Sequence, residues 1–330
     1  MGESARAGAT VLGYAIRVLG KLPRPARRAV LGRATAGELP PVPDYVRMME
    51  IAGDMPDTGP TDGELFARFP ELAAVEVSEP AAGVPARLYR PAGESGASTL
   101  VWVHGGAFVG GNLRMAESHW VGLALAARGI PVLALDYRKA LHGVRFPAAS
   151  DDVLTGWTWA VENLPAEHLH LGGASAGGNL AAGVAKRLRD GAGPLPASLV
   201  LAYPVFHAEL PEWNPTALAA IRDNPGVVYF SPDWVRDMSR HYAGDAKILE
   251  DPYAFPANGD AAGTPPTIML NCEADTLRSS AQVWAEQLRA AGVTVAEHQE
   301  PGAGHGCLGE PFSVAGQAML DRITSHLRRW

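Results

Sequence analysis

The chain has 330 residues, of which 47% are hydrophobic and 19% charged, and this balance is typical of a folded globular protein. A formal net charge of −7 argues against a general affinity for nucleic acid or anionic membranes, since both bind basic surfaces. There is no apolar stretch long enough for a membrane-spanning helix and no recognisable secretory leader, and two cysteines are too few for a disulfide framework. We therefore expect a cytoplasmic protein that makes no stable membrane insertion and binds no nucleic acid.

The opening of the chain has a pattern of its own. Residues 10–52 show a helical period that prolines interrupt, and four arginines make this stretch locally basic (Arg24, Arg27, Arg28 and Arg33). An amphipathic helix on a membrane surface is one interpretation, and a solvated helix face lying over the body of the protein is the other. Solvated faces are the commoner outcome of such a pattern, and we expect one here.

From residue 75 onward, strand patterns and helix patterns alternate. Two short strands at residues 75–78 and 84–90 are expected to pair antiparallel. Apolar runs predict further strands at residues 99–104, 130–136, 168–171, 198–203, 267–271 and 293–298. Helical periods are found at residues 115–128, 147–163, 176–189, 277–291 and 312–329. Such alternation predicts a mostly parallel sheet with helices on both faces.

One segment interrupts this alternation. Residues 204–263 have no strand pattern and form a connection far longer than an ordinary loop between a strand and a helix. They carry many aromatic residues, namely Phe206, Trp213, Tyr229, Phe230, Trp234, Tyr242, Tyr253 and Phe255. We expect an insertion that folds over one edge of the sheet as a lid, with most of these aromatics in the lid's own core and a minority lining a substrate pocket.

The junction between the strand at 168–171 and the helix that follows contains Gly-x-Ser-x-Gly at residues 173–177. A serine on a tight turn from strand to helix must adopt a strained backbone, and flanking glycines remove the Cβ clashes that would prevent it. Such a turn lifts the serine oxygen above the sheet, where the helix N-terminus favours negative charge. The pattern alone is weak, but its position between strand and helix makes Ser175 a candidate nucleophile.

A serine nucleophile needs a base to take its proton and an acid to orient that base. Two acids, Glu273 and Asp275, follow the strand at 267–271, and His305 lies in the glycine-rich stretch 301–306, expected to be a flexible loop. The chain order of serine, acid and histidine is that of α/β-hydrolases. The competing histidines lie in strands, on helices or in the insertion (His168, His170, His298, His119, His207, His241 and His326), so the sequence favours His305.

A glycine pair directly after the strand at 99–104 is the fourth candidate element. Attack on an ester carbonyl creates an oxyanion, which backbone N–H groups stabilise if the main chain can approach it closely. The N–H groups of Gly105, Gly106 and Ala176 are the expected donors, and His104 is expected to hold their loop by hydrogen bonds. A simple turn is the alternative interpretation of His-Gly-Gly.

Together these segments resemble the hormone-sensitive-lipase-like (bacterial family IV) esterases, which have the α/β-hydrolase fold. The resemblance covers roughly residues 70–330. The loop after His104 matches the family's His-Gly-Gly-Gly, with Ala107 in place of the third glycine, and the serine turn with the following Gly-Asn-Leu-Ala matches the family's closely. Gly-His305-Gly matches its histidine loop.

The same resemblance selects the acid. Asp275-Thr-Leu-Arg is similar to the family's Asp-Pro-Leu-Arg, which favours Asp275 over Glu273. It implies a catalytic triad of Ser175, Asp275 and His305 in a carboxylesterase that cleaves short- to medium-chain acyl esters through an acyl-enzyme. It also implies a small-molecule ester as the partner, with no cofactor and no metal, and leaves a homodimer open.

The implied domain organisation has three parts. Residues 1–70 would be an N-terminal helical cap segment, residues 71–203 and 264–330 the α/β-hydrolase catalytic core, and residues 204–263 a cap or lid insertion.

The chain departs from the family at one place. After Asp-Tyr-Arg the family continues x-Ala-Pro-Glu, whereas Leu141 and His142 replace the proline and the glutamate here. Because that glutamate supports the neighbouring loops, the support of the oxyanion loop is expected to differ. The departure leaves open an acyl transferase, lactone-forming or eliminating enzyme that uses the same site. A non-catalytic receptor is the third hypothesis, disfavoured because no triad member is missing.

Three smaller features have alternative interpretations. Asp151 and Asp152, with Glu273, suggest a metal site, but acids at a helix start more often complement its dipole, and we assign no metal. Cys272 and Cys307 each lie close in sequence to a triad residue and are expected to be neighbours. Two buried thiols are favoured over a redox pair.

Overall fold

The computed structural model describes residues 59–224 and 227–330. The basic opening and most of the expected N-terminal cap segment lie outside the described residues. None of the described helices is long and apolar enough to cross a membrane.

The described chain forms a single eight-stranded sheet in the order β1-β2-β4-β3-β5-β6-β7-β8. The strands are β1 Glu76–Ser78, β2 Ala86–Arg90, β3 Ser98–Val103, β4 Val132–Leu135, β5 His168–Ala174, β6 Leu199–Ala202, β7 Thr267–Ala274 and β8 Val295–Gly304. Strand β2 pairs antiparallel with both β1 and β4, whereas all other pairs are parallel. The predicted antiparallel pair and mostly parallel sheet are therefore confirmed.

Eight helices accompany this sheet in the described part of the chain. They are α1 Asp62–Arg68, α2 Ala116–Ala126, α3 Ala148–Asn163, α4 Ala176–Arg187, α5 Pro215–Asp223, α6 Pro232–Ala243, α7 Arg278–Ala290 and α8 Val314–Leu327. The central strands β3 to β7 are mostly buried on both faces, as strands covered by helices on both sides should be. In β3, Val101 and Val103 belong to one hydrophobic cluster, and Leu100 and Trp102 to the other, as the alternation of side chains along a strand requires.

The insertion, residues 204–263, contains α5, α6 and a 3₁₀ turn, and no strand in its described residues. Its aromatics do not form a separate core. Four of them are buried in the same hydrophobic cluster as one face of the sheet (Phe206, Trp234, Tyr242 and Phe255). Tyr229 instead belongs to a small cluster with Ile221 of α5 and Ala274 of β7, against which Trp213 packs. For the first four rings the expected lid core is thus a continuation of the main core: Phe206 packs against Trp284 of the helix α7, and Tyr242 stacks on Phe108.

Strands β7 and β8 extend further than their apolar patterns predicted. Strand β7 continues to Ala274, and β8 runs through the glycine-rich stretch as far as Gly304, so the predicted flexible loop is mostly strand. Backbone pairing carries this extension, with Cys272 opposite Glu300 and, after an irregularity, Ala274 opposite Gly304. As a result, Asp275 and His305 are each the first residue after one of two neighbouring paired strands.

Candidate active site

Ser175 occupies the turn between β5 and α4, where the chain has no room for larger residues. Its backbone has φ 52° and ψ −119°, outside the ordinary regions for an L-residue. A Cβ at Gly173 would lie 2.4 Å from the backbone of Gly177, and a Cβ at Gly177 would lie 2.1 Å from the carbonyl oxygen of Val103. The glycines therefore allow the close approach of α4 to β3 that holds the serine in this strained conformation.

The three predicted triad side chains lie together at the carboxyl ends of β5, β7 and β8. The Oγ of Ser175 is 3.0 Å from Nε2 of His305, and Nδ1 of His305 is 2.7 Å from Oδ2 of Asp275. Because a carboxylate only accepts hydrogen bonds, Nδ1 carries a proton, and Nε2 of the neutral ring is free to accept from the serine hydroxyl. Asp275 is buried, with 1% of its surface exposed. The backbone N–H of Leu277 donates to the other oxygen of its carboxyl group, and this bond orients the group.

Glu273, the other acid considered, has a different environment. Its Oε2 accepts a hydrogen bond of 2.6 Å from the backbone N–H of Gly302 in β8. Glu273 thus links β7 to β8 by a hydrogen bond three residues before His305. The carboxyl group that contacts the imidazole is that of Asp275.

Two aromatic rings enclose the imidazole. The ring centroids of Tyr203 and Phe230 lie 5.0 and 4.7 Å from that of His305, both nearly edge-on. Phe230 is held there because its backbone N–H donates to Oγ1 of Thr276, and the Thr276 hydroxyl donates to the carbonyl oxygen of Phe230. Phe230 is therefore an aromatic of the insertion that contacts His305. The second ring, Tyr203, is buried, and burial raises the pKa of its hydroxyl well above its ordinary value.

The glycine loop after β3 is tied down at Gly105. The backbone N–H of this residue donates a hydrogen bond of 2.6 Å to Oε2 of Glu117, a buried residue of α2. The bond removes Gly105 from the predicted oxyanion donors, since its N–H is already engaged. In the described part of the chain, the backbone N–H groups of Gly106, Ala107 and Ala176 have no intramolecular acceptor. These three N–H groups are therefore the candidate oxyanion donors.

The carbonyl group of Gly105 is held from the other side. Nδ1 of His104 lies 2.6 Å from this oxygen, and the hydroxyl of Tyr137 donates to it at 3.2 Å. His104 is fully buried and its other ring nitrogen lies 3.0 Å from Oδ1 of Asp136. The expectation that His104 holds the loop by hydrogen bonds is confirmed.

The two acids considered as metal ligands form ion pairs with arginines. Asp151 and Asp152 pair with Arg187 and Arg138, each at 2.8 Å. Residues 59–224 and 227–330 contain no group of three or more His, Cys, Asp or Glu side chains arranged to hold a metal ion.

The two cysteines are neighbours, as expected. The sulfur atoms of Cys272 and Cys307 are 3.7 Å apart, and both thiols are buried and unbridged. Burial raises the pKa of Cys272, which disfavours its reactive thiolate form.

Known proteins share this architecture. Residues 100–309 match the family model described as alpha/beta hydrolase fold. An ethyl acetate hydrolase of Pseudomonas putida is 32% identical over 240 residues, which cover 67% of this chain and 70% of that protein. The esterase LipI of Mycobacterium tuberculosis is 33% identical over 255 residues, covering 73% of this chain and 76% of the relative.

A solved structure agrees with these relatives. The crystal structure of an esterase from the bacterial hormone-sensitive lipase family superposes with a TM-score of 0.67 at 25% identity, and the match covers 88% of this chain and 99% of that one. Fold, family model and relatives lead to one assignment. The chain belongs to the α/β-hydrolase family, and within it to the hormone-sensitive-lipase-like serine carboxylic-ester hydrolases.

Proposed function

We propose that Ser175, His305 and Asp275 are the catalytic triad of this ester hydrolase, and that Gly106, Ala107 and Ala176 form its oxyanion hole. The observation that carries the proposal is the continuous hydrogen-bonded path from Oγ of Ser175 to Nε2 of His305, at 3.0 Å, and from Nδ1 to Asp275, at 2.7 Å. This is the arrangement that activates a serine hydroxyl.

Each group then has one role in the reaction. The Ser175 oxygen attacks the ester carbonyl carbon while its proton passes to Nε2 of His305, and Asp275 stabilises the imidazolium that forms. The oxyanion accepts hydrogen bonds from the three free backbone N–H groups. His305 then gives its proton to the departing alkoxide, which leaves as the alcohol. Water, activated by the same imidazole, releases the acid from the acyl-enzyme and returns the proton to Ser175.

Short- to medium-chain acyl groups are the proposed substrates. Phe230 stands against the imidazole and takes space beside the reacting carbonyl, which favours a pocket of limited length. The Pseudomonas putida relative is named for ethyl acetate, an ester with a short acyl group.

We further propose residues 204–263 as the lid of a core formed by residues 71–203 and 264–330. The contact of Phe230 with His305 supports this division, because it brings a residue of the insertion to the triad.

The test is hydrolysis of p-nitrophenyl esters from acetate to decanoate by the wild type and by Ser175→Ala. Loss of the nucleophile is expected to lower kcat by about 10⁵-fold or more. Ser239→Ala is the matched control, because Ser239 is buried on α6 and its Oγ has no hydrogen-bond partner in the described structure. Stoichiometric labelling of the wild type by a fluorophosphonate at Ser175 would identify the nucleophile directly. Turnover that survives Ser175→Ala contradicts the mechanism.

A further inference from the structure

Lys139 lies in the segment that departs from the family pattern, three residues after Asp136. Its side chain is mostly buried, with 18% of its surface exposed, and its ammonium group forms an ion pair with Oδ1 of Asp136. The same ammonium donates to the carbonyl oxygen of Tyr137 at 2.7 Å and lies 3.3 Å from Nε2 of His104. Three acceptors thus surround a group that has three protons to donate.

These contacts determine which nitrogen of His104 carries the proton. Nε2 faces two groups: the Asp136 carboxylate at 3.0 Å, which can only accept a hydrogen bond, and the Lys139 ammonium at 3.3 Å, which can only donate one. Nδ1 faces the carbonyl oxygen of Gly105, which can only accept, so Nδ1 carries the proton. In a neutral ring Nε2 then carries no proton and can only accept, so its hydrogen-bond partner is Lys139, while Asp136 is the acceptor that competes for the proton.

The proton on Nδ1 bears on the oxyanion hole through a single peptide group. The carbonyl oxygen of Gly105 and the N–H of Gly106 belong to the same planar trans peptide and point in opposite directions. Two donors, from His104 and Tyr137, fix the orientation of this carbonyl oxygen. The same bonds therefore fix the orientation of the Gly106 N–H, a proposed oxyanion donor.

We propose that Lys139 is a positioning residue for the hydrolysis: it locks His104 in the tautomer with the proton on Nδ1 and so holds the Gly106 N–H in the oxyanion hole. The inference rests on the proposed function of this site. Without the ammonium, a neutral His104 has a stronger acceptor available in the Asp136 carboxylate than in the Gly105 carbonyl. The proton then moves to Nε2, and the bare Nδ1 repels the carbonyl oxygen that it formerly held.

The charged and titratable groups around His104 come from three places in the described structure. Asp136, Tyr137 and Lys139 follow β4, Glu117 of α2 holds the neighbouring Gly105 N–H, and Asp152 of α3 acts on Lys139 electrostatically. Burial opposes ionisation of Asp136, yet the pKa of this carboxyl group beside the Lys139 ammonium lies below its ordinary value. Asp136 thus remains an ionised competitor for the His104 proton throughout the range in which such an enzyme is assayed.

Selective ¹⁵N-histidine labelling measures the tautomer in the resting enzyme, with the His104 signals assigned by their loss in His104→Asn. At about pH 8.5, above the ordinary titration range of histidine, the wild type is expected to have a protonated Nδ1 and a bare Nε2. Lys139→Met is expected to show the reverse. Its kcat is expected to fall about tenfold at this pH with KM unchanged, because the Gly106 N–H acts on the transition state.

The double variant Asp136→Asn/Lys139→Met separates this role from a merely structural one. An amide at position 136 can donate to Nε2, so the double variant is expected to return the proton to Nδ1 and to recover most of kcat. Lys247→Met, at an exposed lysine of the 3₁₀ turn Ala246–Glu250, is the control for the substitution itself.

Two results would overturn the inference. One is a wild-type His104 that is protonated on Nε2, a measurement that needs no folded variant. The other is a folded Lys139→Met that keeps both the tautomer and kcat of the wild type. Neither result bears on Ser175, because the spectrum reports on the resting enzyme and the nucleophile is tested by its own variant.

Discussion

The phenol O–H of Tyr203 donates a hydrogen bond of 2.7 Å to Oε1 of Glu117, while Oε2 of the same carboxyl group accepts from the Gly105 N–H at 2.6 Å. Both side chains are buried, and the Tyr203 ring also packs edge-on against His305. One carboxyl group thus connects the glycine loop, through Tyr203, with the imidazole of His305.

Glu117→Gln is expected to weaken this connection. An amide has one acceptor oxygen for two donors, so either the Tyr203 hydroxyl or the Gly105 N–H loses its acceptor in a buried place. We expect the free energy of unfolding to fall by about 1–3 kcal/mol. The kcat should fall as well, because Gly105 precedes the proposed oxyanion donors. Tyr203→Phe retains the aromatic ring and the hydrogen bond between Glu117 and Gly105. Its losses in the free energy of unfolding and in kcat should therefore be smaller than those of Glu117→Gln. Urea unfolding and kcat measure both effects, and a Glu117→Gln variant equal to wild type in both would contradict the account.

The two neighbouring acids offer a paired test of the triad. In Asp275→Asn the side-chain oxygen can still accept from Leu277, which leaves the amide N–H₂ facing Nδ1 of His305. The imidazole proton then moves to Nε2, which can no longer accept from Ser175, and we expect kcat to fall by about 10⁴-fold, as such a tautomer change does in serine proteases.

Glu273→Gln is the matched control for that variant. Its amide oxygen can still accept from Gly302, so kcat should stay within about tenfold of wild type, well short of the loss expected for a catalytic carboxylate. Steady-state kinetics on one p-nitrophenyl ester measures both variants. Similar losses in the two would show that the carboxyl of Asp275 has no special role.

The sequence predicted the mostly parallel sheet and the triad candidates because both follow from local patterns. Alternating strands and helices dictate a mostly parallel sheet, and candidates located after successive strands must meet at one edge of it. Ser175 and His305 were identified by this reasoning alone, and the choice of Asp275 over Glu273 came from the family resemblance. Their neighbouring positions depend on the full lengths of β7 and β8, which backbone pairing extends beyond the apolar residues.

The support of the glycine loop could not be predicted in this way. Glu117 in the first turn of a helix resembles any acid that complements a helix dipole, and only packing brings it to Gly105. For the same reason the sequence could not show that the Gly105 N–H, an expected oxyanion donor, bonds to Glu117 instead. One feature of the sequence indicated that the support of this loop differs from the family's, namely the departure from the family pattern after Asp136. In the structure His142 of that segment is exposed, and it is Lys139 that contacts His104.

Phe230→Ala is expected to change substrate preference. Removing the ring next to His305 opens space beside the reacting carbonyl, while the backbone bonds of residue 230 to Thr276 can persist. The ratio of kcat/KM for p-nitrophenyl octanoate to that for the acetate should rise by about tenfold, the scale of one or two methylene groups in a pocket. Phe312→Ala is the control, since Phe312 is 53% exposed and stacks on Phe69. An unchanged ratio would remove Phe230 from the acyl pocket.

At the opposite end of the sheet, four buried side chains form one hydrogen-bonded chain. The Ser98 hydroxyl donates to the carbonyl oxygen of Leu327, so its oxygen accepts from Nε2 of His170, and Nδ1 of His170 accepts from Ser198. The Ser198 oxygen in turn accepts from Nε2 of His326. These contacts assign each hydroxyl and imidazole proton to a single hydrogen bond, with one proton on each imidazole ring, so both rings are neutral. Burial accordingly lowers the pKa of His170 to about 3 and that of His326 to about 4.

This series of hydrogen-bonded side chains predicts that the folded protein loses stability in acid. Because the pKa of each histidine is lower in the folded state than in the unfolded chain, the unfolded chain binds protons between about pH 6.5 and pH 4 that the folded protein does not. The free energy of unfolding should therefore fall as pH decreases through this range, by about 1 kcal/mol per pH unit for each histidine. His170→Gln can keep both hydrogen bonds but cannot titrate. The free energy of unfolding of this variant should therefore change less steeply with pH, by the contribution of one histidine. His142→Gln, at an exposed histidine, should leave the slope unchanged. Urea unfolding at several pH values measures these slopes, and equal slopes in His170→Gln and wild type would show that His170 is not held neutral by the fold.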